Sequence, residues 1–258
     1  KNNYLGCAYI DENSFSLAVC DISTGEFLTT SICSKPQRIL DELSKFMPSE
    51  LLIIENSFIR ESKIIQQLKE KFSFLLSYIH YDNSDVEMLL KERFKEDVSS
   101  FIRIETITSG SLYKYISETQ KISLGHISRI KKYELQDYLI LDSATRKNLE
   151  LTETLRSKSR KGSLLWVLDK TQTAMGSRLL HKWIEEPLIK SEEINKRLEA
   201  VNELVDNVYV ASDLKVFLKN VYDIERLIGR ISCCAANARD LVSLKYSIKT
   251  LPDIKASI

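Results

Sequence analysis

The sequence lacks the features that identify several large classes of protein. Its five cysteines are odd in number and contain no C-x-x-C pair, which argues against a disulfide framework and against a zinc site. The longest apolar runs, such as Leu164–Leu168, are far shorter than the roughly 18 residues that a membrane-spanning helix needs. No basic and apolar leader opens the chain. We therefore expect a cytoplasmic protein that has no contact with a membrane.

The sequence also lacks an excess of charge of either sign. Lysine and arginine number 37, aspartate and glutamate number 36, and the net charge is +1. Attraction to DNA must therefore come from local clusters of basic residues and not from the whole-molecule field. The 258 residues, of which 43% are apolar, suit about two globular domains.

The first half has the pattern of an α/β domain. Three short segments rich in β-branched and aromatic residues are separated by the turn-forming sequences DEN and STG, and they predict a meander of three antiparallel strands. These segments are 4–10, 14–20 and 26–32. The elements predicted after them are helix 37–45, strand 51–54, helix 62–71, strand 72–79 and helix 109–121. Their order is typical of the ribonuclease H-like fold, which we assign to residues 1–124.

The second half, residues 125–258, has helical spacing almost throughout. Residues 173–184 form one predicted helix. A second has Ser191 as its N-cap and an apolar stripe formed by Ile194, Leu198, Val201 and Val205. After the separating sequence DNVYVASD, a further stripe runs from Leu214 to Ile231. We predict an all-α domain in which these stripes are packed against other helices.

A nucleotide-binding or hydrolytic site is not indicated. The phosphate loop needs G-x-x-x-x-G-K-[ST], and Gly162 and Gly176 are too far apart to serve in one such loop. A serine or cysteine nucleophile needs an adjacent histidine, and the chain has only His80, His126 and His181. His181 falls on the polar side of its predicted helix, which favours a surface position.

Two carboxylates raise the alternative of a metal-dependent nuclease. Nucleases of the ribonuclease H-like fold gather acidic side chains at strand ends to hold two divalent metals. Asp11 and Glu55 each follow a predicted strand and are the candidate ligands. Further ligands are not evident, since the other acidic residues of this half lie in polar stretches where a solvated carboxylate is the usual state.

One basic cluster is a candidate for contact with a phosphate backbone. The sequence RSKSRK places four positive charges in six residues, although a solvated loop is the more common explanation of such a cluster. With two basic residues shortly before it, the candidate set is Arg146, Lys147, Arg156, Lys158, Arg160 and Lys161.

Four segments resemble the MutS family of bacterial DNA mismatch repair proteins. LDSATRKNLEL, LLWVLDKTQTAMGSRLL, VYDIERLIGRIS and ANARDLVSLKYSIKTLP occur in the order and spacing of the family's core domain, and AVCDISTGEF resembles its connector domain. The resemblance covers essentially the whole chain. It implies a connector domain of ribonuclease H-like fold that is followed by the first part of a helical core, without the mismatch-reading, clamp and ATPase domains.

The resemblance also implies a role and partners. The chain would transmit conformational change between the other domains without catalysing a reaction and without binding a cofactor itself. ATP and Mg²⁺, mismatched double-stranded DNA, MutL and a second subunit of a homodimer are the expected partners of the full-length protein. A surface for MutL is expected at Glu87, Met88 and Leu89, with the alternative that the apolar residues of this run belong to the core. We further expect Trp166, Gly176, Leu180 and Trp183 to be structural residues of the helical core, with Gly176 allowing a neighbouring helix to approach.

Overall fold

The protein is described here by a computed structural model, which covers residues 3–32, 38–120, 124–134 and 138–257. The chain forms two compact units. The sheet unit comprises Lys1–Glu134 with Ser232–Cys234, and the helical unit comprises Leu135–Ile231 with Ala235–Ile258. Cys33, the predicted helix start at Gln37 and the predicted helix end at Lys121 lie outside the described residues. The domain boundary near residue 125 stays a prediction.

The predicted strands and helices of the sheet unit occur in the predicted order, together with two helices and one short strand that the sequence did not predict. The strands are β1 (Tyr4–Ile10), β2 (Phe15–Asp21), β3 (Glu26–Ile32), β4 (Glu50–Ile54), β5 (Leu75–Ile79) and the short β6 (Lys131–Lys132). The helices are α1 (Ile39–Phe46), α2 (Ser57–Glu61), α3 (Lys63–Lys71), α4 (Asn83–Arg93), a 3-10 turn (Asp97–Ser100) and α5 (Arg103–Gln120). The unpredicted elements are α2, α4 and β6. α4 begins after the N-cap Asp82, which accepts a hydrogen bond from the backbone N–H of Ser84 at 2.8 Å.

The six strands form one mixed sheet in the order β5-β4-β1-β2-β3-β6. β1, β2 and β3 pair as the predicted antiparallel meander. β4 lies parallel to β1, β5 lies parallel to β4, and β6 lies parallel to β3. The helices between the parallel strands are the connections that such pairing requires, because a hairpin cannot join parallel neighbours.

Helices cover both faces of the sheet. Every residue of β2 is buried, as expected for a strand enclosed on two sides. On one face, Cys7 belongs to a buried cluster with α4 and α5 residues such as Leu90 and Leu112. Tyr4 is three residues from Cys7 and so points to the other face, where its ring meets Phe46 of α1 edge to face at 5.2 Å.

A buried carboxylate connects β3 and the edge strand β6 to the start of α5. Glu105 is fully buried and accepts hydrogen bonds from the Ser31 hydroxyl at 2.6 Å and from the Ile102 backbone N–H at 2.9 Å. Lys132 of β6 lies 3.1 Å away and compensates the negative charge. The ion pair and the two hydrogen bonds offset the free-energy cost of burying a charged carboxylate.

The helical unit consists of seven helices among its described residues. They are α6 (Ser143–Asn148), α7 (Leu164–Leu168), α8 (Ala174–Glu185), α9 (Ser191–Asp206), α10 (Val208–Lys219), α11 (Ile224–Ser232, whose last residue belongs to the sheet unit) and α12 (Ala238–Ser257). The sequence DNVYVASD is not a separator as predicted, because α10 already begins at Val208. The stripe from Leu214 to Ile231 is instead divided between α10 and α11. None of the described helices is long and apolar enough to cross a membrane.

Polar contacts hold much of the helical unit together, and its apolar core is small. The buried apolar side chains among its described residues are Leu151, Leu165, Val221 and Leu227. The predicted packing of the α9 stripe is wrong for these residues, since Leu198, Val201 and Val205 are more than half exposed. The periodicity of that stripe defines one apolar face correctly, but no described helix covers it.

Candidate nucleic-acid interface

The candidate interface begins at α6. Asp142 caps this helix by accepting a hydrogen bond from the Thr145 backbone N–H at 2.6 Å. Arg146 points inward, forms an ion pair with Glu185 of α8, and donates to the backbone carbonyls of Leu141 at 3.0 Å and Glu185 at 3.1 Å. Only 8% of its side chain is exposed. The prediction that Arg146 contacts phosphate is therefore wrong for this structure, whereas its neighbour Lys147 is exposed.

A folded loop presents the next basic residues. Glu150, Lys158 and Gly162 have positive φ angles of 47°, 47° and 101°, which turn the backbone sharply at three points. The Thr154 backbone N–H donates to the Ser159 carbonyl at 2.9 Å, and the Leu164 backbone N–H donates to the Glu150 carbonyl at 3.0 Å. The loop is thus closed on itself by hydrogen bonds. Its exposed cations are Arg156, Lys158, Arg160 and Lys161.

Asp169 organises the segment that follows the loop. It accepts hydrogen bonds from the hydroxyls of Thr171 at 2.6 Å and Ser177 at 2.7 Å, and it pairs with Arg160. Burial raises the pKa of Asp169, but the hydrogen bonds from Thr171, Ser177 and Arg160 outweigh it and lower the pKa to about 2. The charge of Arg160 is therefore compensated internally, which removes much of its attraction for phosphate.

The basic segment consequently has four exposed cations without an internal ion pair among the described residues. These are Lys147, Arg156, Lys158 and Lys161. Sequence reasoning missed Lys170, which is also exposed and follows Asp169 directly. Lys170 lies outside the RSKSRK cluster, and a single lysine gives no signal of a phosphate contact in the sequence.

The caps of α7 and α8 agree with a structural role for this stretch. Ser163 accepts from the Trp166 backbone N–H at 3.2 Å, and Thr173 accepts from the Gly176 backbone N–H at 3.0 Å. Thr173 is therefore the N-cap of α8. The side chain of Thr171 bonds to Asp169 instead of to a helix terminus.

The predicted burial of the two tryptophans is wrong in the described chain. Trp166 is 48% exposed, because only Leu165 of the five-residue α7 turns inward. Trp183 is 39% exposed and packs under the Arg197 guanidinium at 3.8 Å from the ring centroid. Leu180 is half-buried.

Gly176 and His181 occupy other surroundings on α8. A Cβ at Gly176 would meet the Thr173 Oγ1 atom at 3.1 Å and the Thr171 Cβ atom at 3.4 Å, so the glycine makes room for the capping residues and not for a neighbouring helix. His181 is exposed, as predicted.

The two candidate metal ligands lie at one end of the sheet. Asp11 follows β1 and Glu55 follows β4, and these strands are parallel neighbours. The Glu55 backbone N–H donates to the Ile79 carbonyl at 3.1 Å, which fixes the chain there. In the described ranges no three His, Cys, Asp or Glu side chains are grouped so as to hold a metal ion.

The candidate partner surface lies on α4, where the three predicted residues have different environments. Met88 is 66% exposed. Leu89 packs against the buried cluster of the sheet unit, and Glu87 forms ion pairs with Lys91 at 3.6 Å and Arg103 at 3.4 Å. Of the predicted set, Met88 is the residue that a partner can reach most fully.

Comparison with known proteins matches the two halves of the chain in turn. The family model of MutS domain II matches residues 3–128, and that of MutS domain III matches residues 144–258. The chain belongs to the MutS family. Its MutS relatives include proteins of Clostridium tetani, 48% identical over 256 residues, and Clostridium novyi, 47% identical over 261 residues, each named DNA mismatch repair protein MutS. A MutS of the same name from Acetivibrio thermocellus is 42% identical over 262 residues.

The match to MutS covers this chain almost completely and its relatives only in part. The three alignments include 99%, 100% and 99% of this chain but 29%, 28% and 30% of the respective relatives. The chain therefore spans less than a third of the length of these MutS proteins. The predicted order of a connector followed by a helical core agrees with the order of domains II and III.

Proposed function

We propose that the chain is a non-catalytic connector and first core segment of an ATP-driven mismatch repair protein. The observation that supports this most is the succession of MutS domains II and III along one chain. In this proposal, mismatched double-stranded DNA is recognised by the longer protein, which acts as a homodimer and binds ATP and Mg²⁺ in an ATPase domain. The chain transmits conformational change between these parts.

A ribonuclease H-like fold of the sheet unit belongs to the proposal. The antiparallel β1-β2-β3 meander, with β4 parallel to β1 and β5 parallel to β4, supports this assignment. In this proposal, Asp11 and Glu55 follow neighbouring strands of the fold but do not form a metal site. Incubation with Mn²⁺ and RNA–DNA hybrids or branched DNA should leave the substrate intact. Cleavage that Asp11→Asn abolishes would overturn the non-catalytic assignment.

An ion-pair network in the helical unit supports the transmission role. Both terminal nitrogens of Arg178 on α8 donate to the Asp223 carboxylate at 2.7 Å, and one also reaches Glu225 at 2.5 Å. The hydrogen bond with Asp223 raises the pKa of Arg178, so this guanidinium stays charged. A bidentate contact fixes orientation as well as distance. α8 and the start of α11 should therefore move together.

The test of transmission breaks this network in the protein that contains both this chain and the ATPase domain. We expect Arg178→Gln to preserve basal ATP turnover and DNA affinity but to reduce the mismatch-dependent change in turnover by about fivefold or more, the scale of a typical coupling. Lys196→Gln is the matched control, because it removes an exposed ion pair with Glu192. An unchanged mismatch response in Arg178→Gln would overturn the role of α8 and α11 in transmission.

A docking surface for MutL on α4 is the second part of the proposal. Met88 supports it as an exposed apolar side chain among charged residues. We expect Met88→Glu in the full-length protein to weaken MutL binding by at least about tenfold. Met47→Glu is the control, because Met47 is also an exposed methionine of the sheet unit. Equal MutL affinity in both variants would place the docking surface elsewhere.

The basic segment is proposed to contribute weak contacts with phosphate. If about three of Lys147, Arg156, Lys158 and Lys161 neutralise phosphates, the logarithm of affinity should fall with that of salt concentration at a slope of about −3. The chain alone should then bind a G·T heteroduplex and its paired control equally. If the chain bound the heteroduplex more than about tenfold more tightly than the paired control, a difference of roughly 1.4 kcal/mol, it would contain an element that recognises mismatches.

A further inference from the structure

His126 is held in one orientation beside a cysteine. Its Nε2 atom lies 2.7 Å from the backbone carbonyl oxygen of Ile22. A carbonyl can only accept, so Nε2 carries a hydrogen, and Nδ1 on the other side of the ring is the nitrogen that can bind a metal ion. Gly25 packs against the same residue, since a Cβ there would lie 2.7 Å from the His126 carbonyl oxygen. The Nδ1 atom faces the Cys233 Sγ atom at 4.0 Å.

Cys233 is followed directly by a second cysteine in the same unit. Cys233 is half-buried, and Cys234 is exposed with a φ of 54°. Adjacent Cα atoms are about 3.8 Å apart, which is shorter than the roughly 4.4–6.8 Å usual in disulfides. A bond between the two sulfurs is therefore disfavoured. A metal ion bound by both sulfurs closes a larger ring than a disulfide does, so the short Cα–Cα distance does not prevent it.

We propose that His126, Cys233 and Cys234 bind one thiophilic metal ion of the Zn²⁺ and Cd²⁺ class. With bonds of about 2.3 Å to sulfur and about 2.0 Å to nitrogen, a tetrahedral ion places the two donor atoms about 3.5 Å apart. The observed separation of 4.0 Å between Nδ1 and Sγ needs only a small closure to reach this value. The hydrogen bond from Nε2 to the Ile22 carbonyl would orient the ring, as is usual for the nitrogen of a metal-binding imidazole that does not contact the metal.

Cys234 supplies the third donor after a change of side-chain rotamer. No group of three donors converges on one point in the part of the chain that the structure describes. The thiol of Cys234 is exposed, so rotation about χ1 toward Cys233 requires no repacking. Water completes the coordination. Burial raises the pKa of the Cys233 thiol as it does those of Cys7 and Cys20. Cys7 and Cys20 differ from the proposed ligands because both are fully enclosed in the sheet unit.

The test is titration of the whole chain with Cd²⁺, followed by the ultraviolet thiolate-to-cadmium charge-transfer band. We expect one equivalent to bind and the thermal unfolding midpoint to rise. Cys233→Ser, Cys234→Ser and His126→Gln should each lower the affinity by at least about tenfold. Affinity should also fall with decreasing pH, because the thiols must lose their protons to bind. Cys33→Ser, at a position outside the described residues, is the matched control and should bind Cd²⁺ like the parent chain.

The variants also distinguish the three-residue site from adventitious binding of Cd²⁺ at a single thiol. Circular dichroism must first show that each variant is folded, and the exposed position of Cys234 makes Cys234→Ser the safest of them. Unchanged binding in Cys234→Ser would overturn the proposal, as would loss of binding in Cys33→Ser. If His126→Gln keeps the parent affinity, the imidazole is not a ligand and the three-residue site is refuted.

Discussion

The ion pair between Arg146 and Glu185 allows stability to be separated from DNA binding. Arg146→Met leaves Glu185 as a buried carboxylate without its partner and removes the donor from two backbone carbonyls. The two side chains are only 8% and 10% exposed, so solvent screens the pair weakly. Breaking such a pair from one side costs about 3–5 kcal/mol. This is a large part of the roughly 5–15 kcal/mol that stabilises a typical domain.

Two further variants control for charge and for volume. Lys147→Met removes the same charge from the next residue, which is exposed, and should change stability by less than about 0.5 kcal/mol. The double variant Arg146→Met with Glu185→Leu replaces the pair by apolar side chains and should recover most of the loss. Both tryptophans lie in the helical unit, so their fluorescence reports its unfolding in urea.

The order of the effects of Arg146→Met and Lys147→Met should be reversed when DNA binding is measured instead of stability. Lys147→Met should reduce the salt slope of duplex affinity by about 0.9 if Lys147 contacts a phosphate, whereas Arg146→Met should leave the slope unchanged at temperatures where it is folded. A cost below about 1 kcal/mol for Arg146→Met would refute the assigned burial of the pair. A double variant as unstable as Arg146→Met would show that the loss has another cause.

Three further predictions concern other parts of the chain. Gly110→Ala should destabilise the sheet unit by about 1–3 kcal/mol in urea unfolding, because its Cβ would lie 2.5 Å from the Val86 carbonyl oxygen. Gly6→Ala should cost less, because its Cβ would come no closer than 3.0 Å to the Leu51 Cδ1 atom and 3.5 Å to Pro48. Asp169 has its folded-state pKa lowered to about 2, so its contribution to stability is complete above about pH 4 and lost as pH falls toward 2. Asp169→Asn should reduce this dependence, and a parent chain with a flat profile in that window would contradict it. Iodide should quench the fluorescence of Trp166, measured in a Trp183→Phe background, and a shielded Trp166 would contradict its exposure.

Much of the secondary structure follows from local features of the sequence. The strands predicted at 4–10 and 26–32 have the observed bounds, because β-branched and aromatic residues between turn sequences mark both ends. α8, Ala174–Glu185, differs by only one residue at each end from the helix predicted at 173–184. The helix α4 was missed because charges surround its short apolar stripe, and its buried Val86 and Leu90 are set by packing against the sheet unit.

The sequence by itself determined the family, the order of a mixed sheet and a helical region, and most helix and strand positions. These depend on interactions among residues within a few positions of one another and on patterns shared with MutS relatives. Only the tertiary structure decided which of two adjacent cations, Arg146 or Lys147, is exposed, because Glu185 is 39 residues away from Arg146 in the chain. It likewise decided that the α9 stripe is uncovered among the described residues, since a periodic pattern defines an apolar face but not the surface that packs against it.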